Sequence, residues 1–302
     1  MTVAQPAVAG GVRGISLDAD GITLSALLAL PPQAPCRAVI VALHGAGMSS
    51  AYFHGSAHPD TSFLGLATSL GFGVVAVDRP GYGRSARQLP EGQGVADQAT
   101  TLGAALRFLA ARYDTGSGLF LLAHSFGGKA ALRIAADRAV PELLGLDVSG
   151  CGAEYAVPLG DREPHGRQSR RLNWGPLRLY PPGTFRASGG VVAPVPSLEL
   201  ADAARWPGDF AGFAGRVRVP VRFTFAEHEF WWQHDARAVA RLRSRLSGAP
   251  RVVTDHQPDA GHNISLGWSA RAYHLRVLGF VEECLRWRES RQRATPEEQE
   301  GT

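Results

Sequence analysis

The stretch Leu119-Phe120-Leu121-Leu122-Ala123-His124-Ser125-Phe126-Gly127-Gly128 decides how this chain is read. Leu119 to Ala123 is an unbroken apolar run of the length and composition of a buried strand. Lys129 to Arg138 is compatible with a helix and follows almost at once. A strand that turns directly into a helix crowds its flanks, so small side chains are needed two residues before and two after the turn. Ala123 and Gly127 supply them. Such a turn is strained and pushes its central side chain out above the sheet edge, where the Ser125 hydroxyl would be presented as a nucleophile. The competing reading is a serine that merely caps a helix N-terminus.

Two further segments follow in an informative order. Val219-Pro220-Val221-Arg222-Phe223-Thr224-Phe225-Ala226-Glu227-His228-Glu229 is a β-rich run that ends in two carboxylates. Pro258-Asp259-Ala260-Gly261-His262-Asn263 places a histidine after a strand, Arg251 to Thr254, and before a helix from about Ser265 to Arg288. A histidine there can reach back over the sheet edge to a serine that needs a base. Its imidazole needs an anionic partner to fix the tautomer and stabilise the imidazolium. Glu227, Glu229 and Asp147, at the end of the run Leu143 to Val148, are the available carboxylates. A solvated acidic turn and a surface histidine are the ordinary alternatives.

The order serine, acid, histidine resembles that of the α/β-hydrolase superfamily. The resemblance runs over about residues 12 to 290. It includes Leu43-His44-Gly45-Ala46-Gly47 after the strand Ala38 to Leu43, and Val75-Ala76-Val77-Asp78-Arg79-Pro80-Gly81-Tyr82-Gly83-Arg84-Ser85. It implies the α/β-hydrolase fold: a mostly parallel central sheet flanked by helices, with a short lid insertion. The core would be 12–150 and 207–290, the lid 151–206, and 291–302 a disordered tail. It implies Ser125 as nucleophile, His262 as base and Glu229 as orienting acid. The backbone N–H groups of Ala46 and Phe126 would form the oxyanion hole. His44 and His124 would be structural. The family more often has Gly where Ala123 stands and Asp where Glu229 stands, so Glu227 remains the rival acid.

The implied activity is cleavage of a carboxylic ester or thioester through an acyl-enzyme, with no metal or organic cofactor. Carbon–carbon bond hydrolases and cofactor-free haloperoxidases share these residues, and a non-catalytic binding protein on the same fold is a further alternative. His228, Glu229, His234, Asp255, His256 and Asp259 do not match the spacing of a zinc-binding helix. Between Cys151 and Trp206 prolines interrupt any regular pattern, as expected of a lid. Asp161 to Arg186 carries Arg162, Arg167, Arg170, Arg171, Arg178 and Arg186 against two acids. These arginines read either as a solvated lid face or as an attraction for an anionic or carrier-bound acyl substrate. Trp231, in Phe230-Trp231-Trp232, and Trp174, in the lid, are the candidate substrate-contacting aromatics; packing beneath the lid is the alternative use.

Composition bounds the rest. With 302 residues, 45% hydrophobic and 19% charged, the chain has the make-up of a soluble globular protein, long enough for one large core plus an insertion. Residues 1 to 14 lack the basic-then-apolar pattern of a signal peptide. No apolar run reaches membrane-spanning length. Three widely spaced cysteines argue against a disulfide framework and favour a reducing cytoplasm. Dispersed arginines without an aromatic recognition motif give no reason to expect a nucleic-acid partner. Lys129 is the only lysine among 31 basic residues, which with the abundant Ala and Gly suggests a GC-rich bacterial genome.

Overall fold

Eight strands form one sheet in the order β1-β2-β4-β3-β5-β6-β7-β8. The computed structural model describes residues 11–32, 35–140, 142–159 and 167–294. The antiparallel pair β1 (Val12–Ala19) and β2 (Ile22–Ala29) turns at Asp20-Gly21, both with positive φ. β2 runs antiparallel to β4 (Gly73–Val77), and every later pairing is parallel. The central strands β3 (Val39–Leu43) and β5 (Leu119–His124) are buried along their whole length. That burial explains their uninterrupted apolar sequences, because both faces of a parallel sheet are covered by helices.

Side-chain alternation assigns the two layers. Val39, Val41, Leu43, Leu119, Leu121 and Ala123 face one cluster; Ile40, Ala42, Phe120 and Leu122 face the other. On the first face lie α2 (Val95–Ala110) and α3 (Phe126–Asp137), with Leu102, Ala105, Leu106 and Leu109 of α2 fully buried. On the second lie α1 (Phe63–Ser69) and α7 (Ala270–Ala294). From β3 the chain crosses to β4 on one side, whereas β5 lies on the other. The adjacent carboxyl ends of β3 and β5 are therefore a topological switch point, where open α/β sheets place their clefts.

Four boundaries differ from the sequence expectation. The expected lid end at Trp206 falls inside α5 (Ser197–Phe213), which carries Pro207 within it. Trp206, Phe210 and Phe213 bury three mutually packed rings, offsetting the helical hydrogen bond that the proline removes. β8 (Val252–Gly261) extends far beyond Thr254 and includes Pro258. It is an edge strand, where a missing N–H is tolerated. The last helix begins at Ala270 rather than Ser265, after a 3₁₀ turn at Ile264–Leu266. It continues to Ala294, so residues 291–294 are helical rather than tail; 295–302 lie outside the described residues.

The segment between β6 (Leu143–Ser149) and β7 (Val221–His228) contains α4 (Arg167–Trp174) and α5. It is tied to the core at the mouth of the switch point. Met48 bridges Val192, and the Ala193 N–H donates to Gly47 O at 2.9 Å. No helix among the described residues is long and apolar enough to cross a membrane.

Candidate active site

Ser125 lies between β5 and α3 with φ 51° and ψ −117°, a conformation that non-glycine residues seldom hold. Its surroundings show why the flanks must be small. A Cβ on Gly127 would stand 2.3 Å from Leu43 O and 2.6 Å from His44 O. A Cβ on Gly128 would stand 2.5 Å from a Val148 methyl, and one on Gly45 would meet Ser125 Cβ at 3.0 Å. The Ser125 N–H donates to Ser149 O at 2.8 Å, so β6 braces the turn.

Three side chains from separate loops converge there. His262 Nε2 is 3.2 Å from Ser125 Oγ, and His262 Nδ1 is 2.8 Å from Glu229 Oε2. The other Glu229 oxygen accepts the Trp231 N–H at 2.9 Å. Glu229 and His262 are both buried. Gly150, at φ 58°, leaves room for the imidazole: a Cβ there would be 2.8 Å from His262 Cε1. The other carboxylates are engaged elsewhere. Glu227 is exposed and accepts the Asp259 N–H across β7 and β8. Asp147 is buried against Arg222 at 2.6 Å and the Tyr273 hydroxyl at 2.8 Å. The register of β7 against β8 shifts between Ala226 and His228, and the Glu229 N–H donates to Ala226 O at 3.1 Å, closing a turn that leaves Glu229 buried and Glu227 exposed.

Neighbouring histidines are held neutral. His44 accepts the Arg79 N–H at Nε2 (3.1 Å), leaving Nδ1–H to donate to Gly45 O (2.8 Å). Burial, then the Arg79 charge, lowers its pKa well below the usual histidine range. His124 stacks on Tyr52 at 4.7 Å and contacts Ser149 Oγ; burial, then His262, likewise lowers it well below that range.

The N–H of Phe126, first residue of α3, has no helical acceptor, because the first turn of a helix leaves its donors open. Phe126 and Ala46 both border a cavity of about 410 Å³ that also exposes Ser125 and His262. Its far wall comes from the 151–206 segment, including Tyr155, Asn173, Glu199 and Leu200. Trp231 and Trp232 line it as well. Trp174 does not: it packs edge-on against Tyr180 and Phe185, about 5 Å away in each case, in a neighbouring pocket. Expected from the sequence to contact substrate, Trp174 instead has its ring in this aromatic cluster, outside the cavity that exposes Ser125. Arg170, Arg171, Arg178 and Arg186 are exposed and line no part of the cavity; Arg162 lies outside the described residues.

Sequence reasoning passed over two groups at this site. One is a buried ion pair: the Arg79 guanidinium bonds Glu199 of α5, with both side chains fully buried. Gln98 and the Tyr82 hydroxyl complete the set around Glu199. The same Tyr82 oxygen accepts the Gly47 N–H at 3.0 Å, and Arg79 Nε donates to His44 O at 2.6 Å. The loop bearing Ala46 is thus held by a charge pair that reaches into α5. The other is Lys129, whose solitary status was the only signal it gave. Among the described residues no group of three or more His, Cys, Asp or Glu side chains is arranged to hold a metal ion.

Comparison with known proteins agrees with this architecture. Residues 40–277 match the model of the family described as "Alpha/beta hydrolase family". This chain belongs to the α/β-hydrolase family and is a hydrolase of that fold. Among solved structures it is similar to a thermostable carboxyl esterase from Bacillus coagulans, with TM-score 0.66 at 18% identity, covering 91% of this chain and 99% of that one. It is also similar to the N-acyl homoserine lactonase AidH (TM-score 0.62, 13% identity, 90% and 97% covered). A third is a thioesterase domain from the curacin biosynthetic pathway (TM-score 0.58, 16% identity, 88% and 99% covered). A search of curated protein sequences gave no match.

Proposed function

We propose that this protein is a serine hydrolase that cleaves a carboxylic ester or thioester through an acyl-enzyme on Ser125. The observation that carries the reading is the continuous hydrogen-bonded line from Ser125 through His262 to buried Glu229. In the proposed cycle, Ser125 Oγ attacks the acyl carbon as its proton passes to His262 Nε2. Glu229 holds Nδ1–H and stabilises the imidazolium. The carbonyl oxygen becomes negative and is received by the N–H groups of Phe126 and Ala46. The leaving alcohol or thiol takes the proton from His262. Water then repeats the attack with His262 as base, releasing the acid and restoring the serine. No metal or organic cofactor enters these steps.

The 151–206 segment acts in this reading as a lid. The support is that it supplies the cavity wall opposite Ser125 and that Glu199 anchors it to the loop bearing Ala46. Trp231 forms part of the substrate wall, and the substrate is a small acyl compound.

The test is labelling with a fluorophosphonate followed by peptide mapping, alongside hydrolysis of 4-nitrophenyl butyrate. Modification at Ser125, abolished together with turnover in Ser125→Ala, is the expected result. Labelling at another residue, or turnover surviving in Ser125→Ala, refutes the assignment.

A further inference from the structure

Lys129 is the solitary lysine of the chain, and it is buried in the wall of the cavity that exposes Ser125. It lies on the first turn of α3, which Ser125 immediately precedes, and both residues line that cavity. Its Nζ lies 5.0 Å from the centre of the Phe126 ring, 5.4 Å from Tyr155, 5.5 Å from Trp206 and 5.7 Å from Trp232. An ammonium has three N–H donors. Among the described residues Lys129 uses one hydrogen bond, to the Tyr155 hydroxyl at 2.7 Å, and forms no ion pair. That hydroxyl in turn donates a hydrogen bond to Ala203 O at 2.9 Å.

The nearby acids do not serve as its counter-ion. Glu199 is taken by Arg79, Gln98 and Tyr82. Asp202 accepts the Val95 N–H and pairs with Arg205. Burial pushes the Cys151 thiol up to about 12, so it stays neutral. Burial also pulls the Lys129 ammonium down to about 8, against the more distant attraction of the Glu199 and Asp202 carboxylates. A cation buried without a partner is costly, and aromatic faces offset only part of that cost.

We propose that Lys129 is the binding group for a carboxylate carried by the substrate itself, so that the preferred substrate is an acidic ester or thioester. The carboxylate takes the two open N–H positions of Nζ and supplies the missing counter-ion. The inference rests on the serine-hydrolase reading for the ester; the carboxylate site rests on the cavity and the unpaired ammonium alone. The carboxylate belongs to the acyl or to the alcohol part, and the substrates below separate the two.

The experiment compares kcat/KM for mono-4-nitrophenyl glutarate with 4-nitrophenyl pentanoate, and for butyryloxyacetate with ethyl butyrate. In the wild type one acidic ester of these pairs should be favoured over its neutral counterpart. In Lys129→Met that acidic-to-neutral ratio should fall by about 30-fold or more, the scale of removing one partner from a buried hydrogen-bonded charge pair. The wild-type ratio should also fall as pH rises through about 8, whereas in Lys129→Met it should be flat. Lys129→Gln keeps a donor for Tyr155 and serves if the methionine variant melts early. A ratio that is the same in wild type and variants, with no pH dependence, overturns the proposal. A second arm is independent of turnover: calorimetric titration of Ser125→Ala with monomethyl glutarate. Binding that disappears in Ser125→Ala/Lys129→Gln supports the site even if no ester is hydrolysed. Equal binding, or none to either protein, refutes it.

Discussion

Replacing Glu229 by Gln tests the proposed site through hydrogen-bond arithmetic. Two N–H groups point at the two oxygens of this carboxylate: Trp231 N–H at 2.9 Å and His262 Nδ1 at 2.8 Å. A carboxylate accepts both, whereas a carboxamide has one oxygen and one NH₂. If the amide oxygen faces His262, the NH₂ opposes the Trp231 N–H. If it faces Trp231, the NH₂ forces His262 to accept at Nδ1. Its proton then moves to Nε2, the nitrogen that must receive the Ser125 proton. Either orientation loses the negative charge that stabilises the imidazolium. The comparable loss in a serine protease is on the order of 10⁴ in kcat. That corresponds to about 5.4 kcal/mol of transition-state stabilisation. The assay is the initial rate of 4-nitrophenyl butyrate hydrolysis, with circular dichroism to verify folding. Glu227→Gln is the control: it weakens only one bond to Asp259 N–H on the exposed face, and its rate should stay within about threefold of wild type, as surface substitutions usually do little. A Glu229→Gln protein that keeps more than about a tenth of the rate contradicts the reasoning, as does a larger loss in Glu227→Gln.

Other expectations follow from packing and charge. Gly127→Ala places a Cβ against two backbone oxygens, so it should cost about 1–3 kcal/mol in urea unfolding and slow turnover by shifting the loop after β3; unchanged stability and rate would refute the close-approach argument. Glu199→Ala leaves Arg79 buried with its charge unpaired and should cost about 3–5 kcal/mol; a loss under about 1 kcal/mol in chemical denaturation would show the pair to be dispensable. His274 is buried, and burial lowers it to about 3. Its unfolded value is near 6.5, so the unfolded chain gains a proton first as pH falls and stability drops from about pH 6.5 downward. Each histidine buried neutral in this way contributes about 1.4 kcal/mol per pH unit within that window. Tm measured between pH 7 and 4.5 should therefore fall less steeply in His274→Gln than in wild type; identical slopes would exclude the linkage.

The sequence by itself determined the strands, the turn and the order of the residues that meet. Leu119 to Ala123 reads as a strand buried on both faces, because five apolar residues bounded by Gly118 and the turn at Ser125 are too few for a buried helix. Ser125 between Ala123 and Gly127 marks the strained turn, because only small flanks fit against β3. These are local constraints, written within a few residues. Tertiary structure decided what local patterns cannot encode. The turn after Ala226, where β7 and β8 change register, buries Glu229 beside His262 and leaves Glu227 facing solvent. Edge position lets β8 carry Pro258, and ring burial lets α5 carry Pro207. The turn of Trp174 into its aromatic cluster removes it from the cavity. Arg79 and Glu199 meet across 120 residues, and Lys129 becomes an unpaired cation only because Phe126, Tyr155, Trp206 and Trp232 close around it. Partners so far apart along the chain leave no periodicity or spacing to read, since their meeting depends on how the whole sheet and its helices pack.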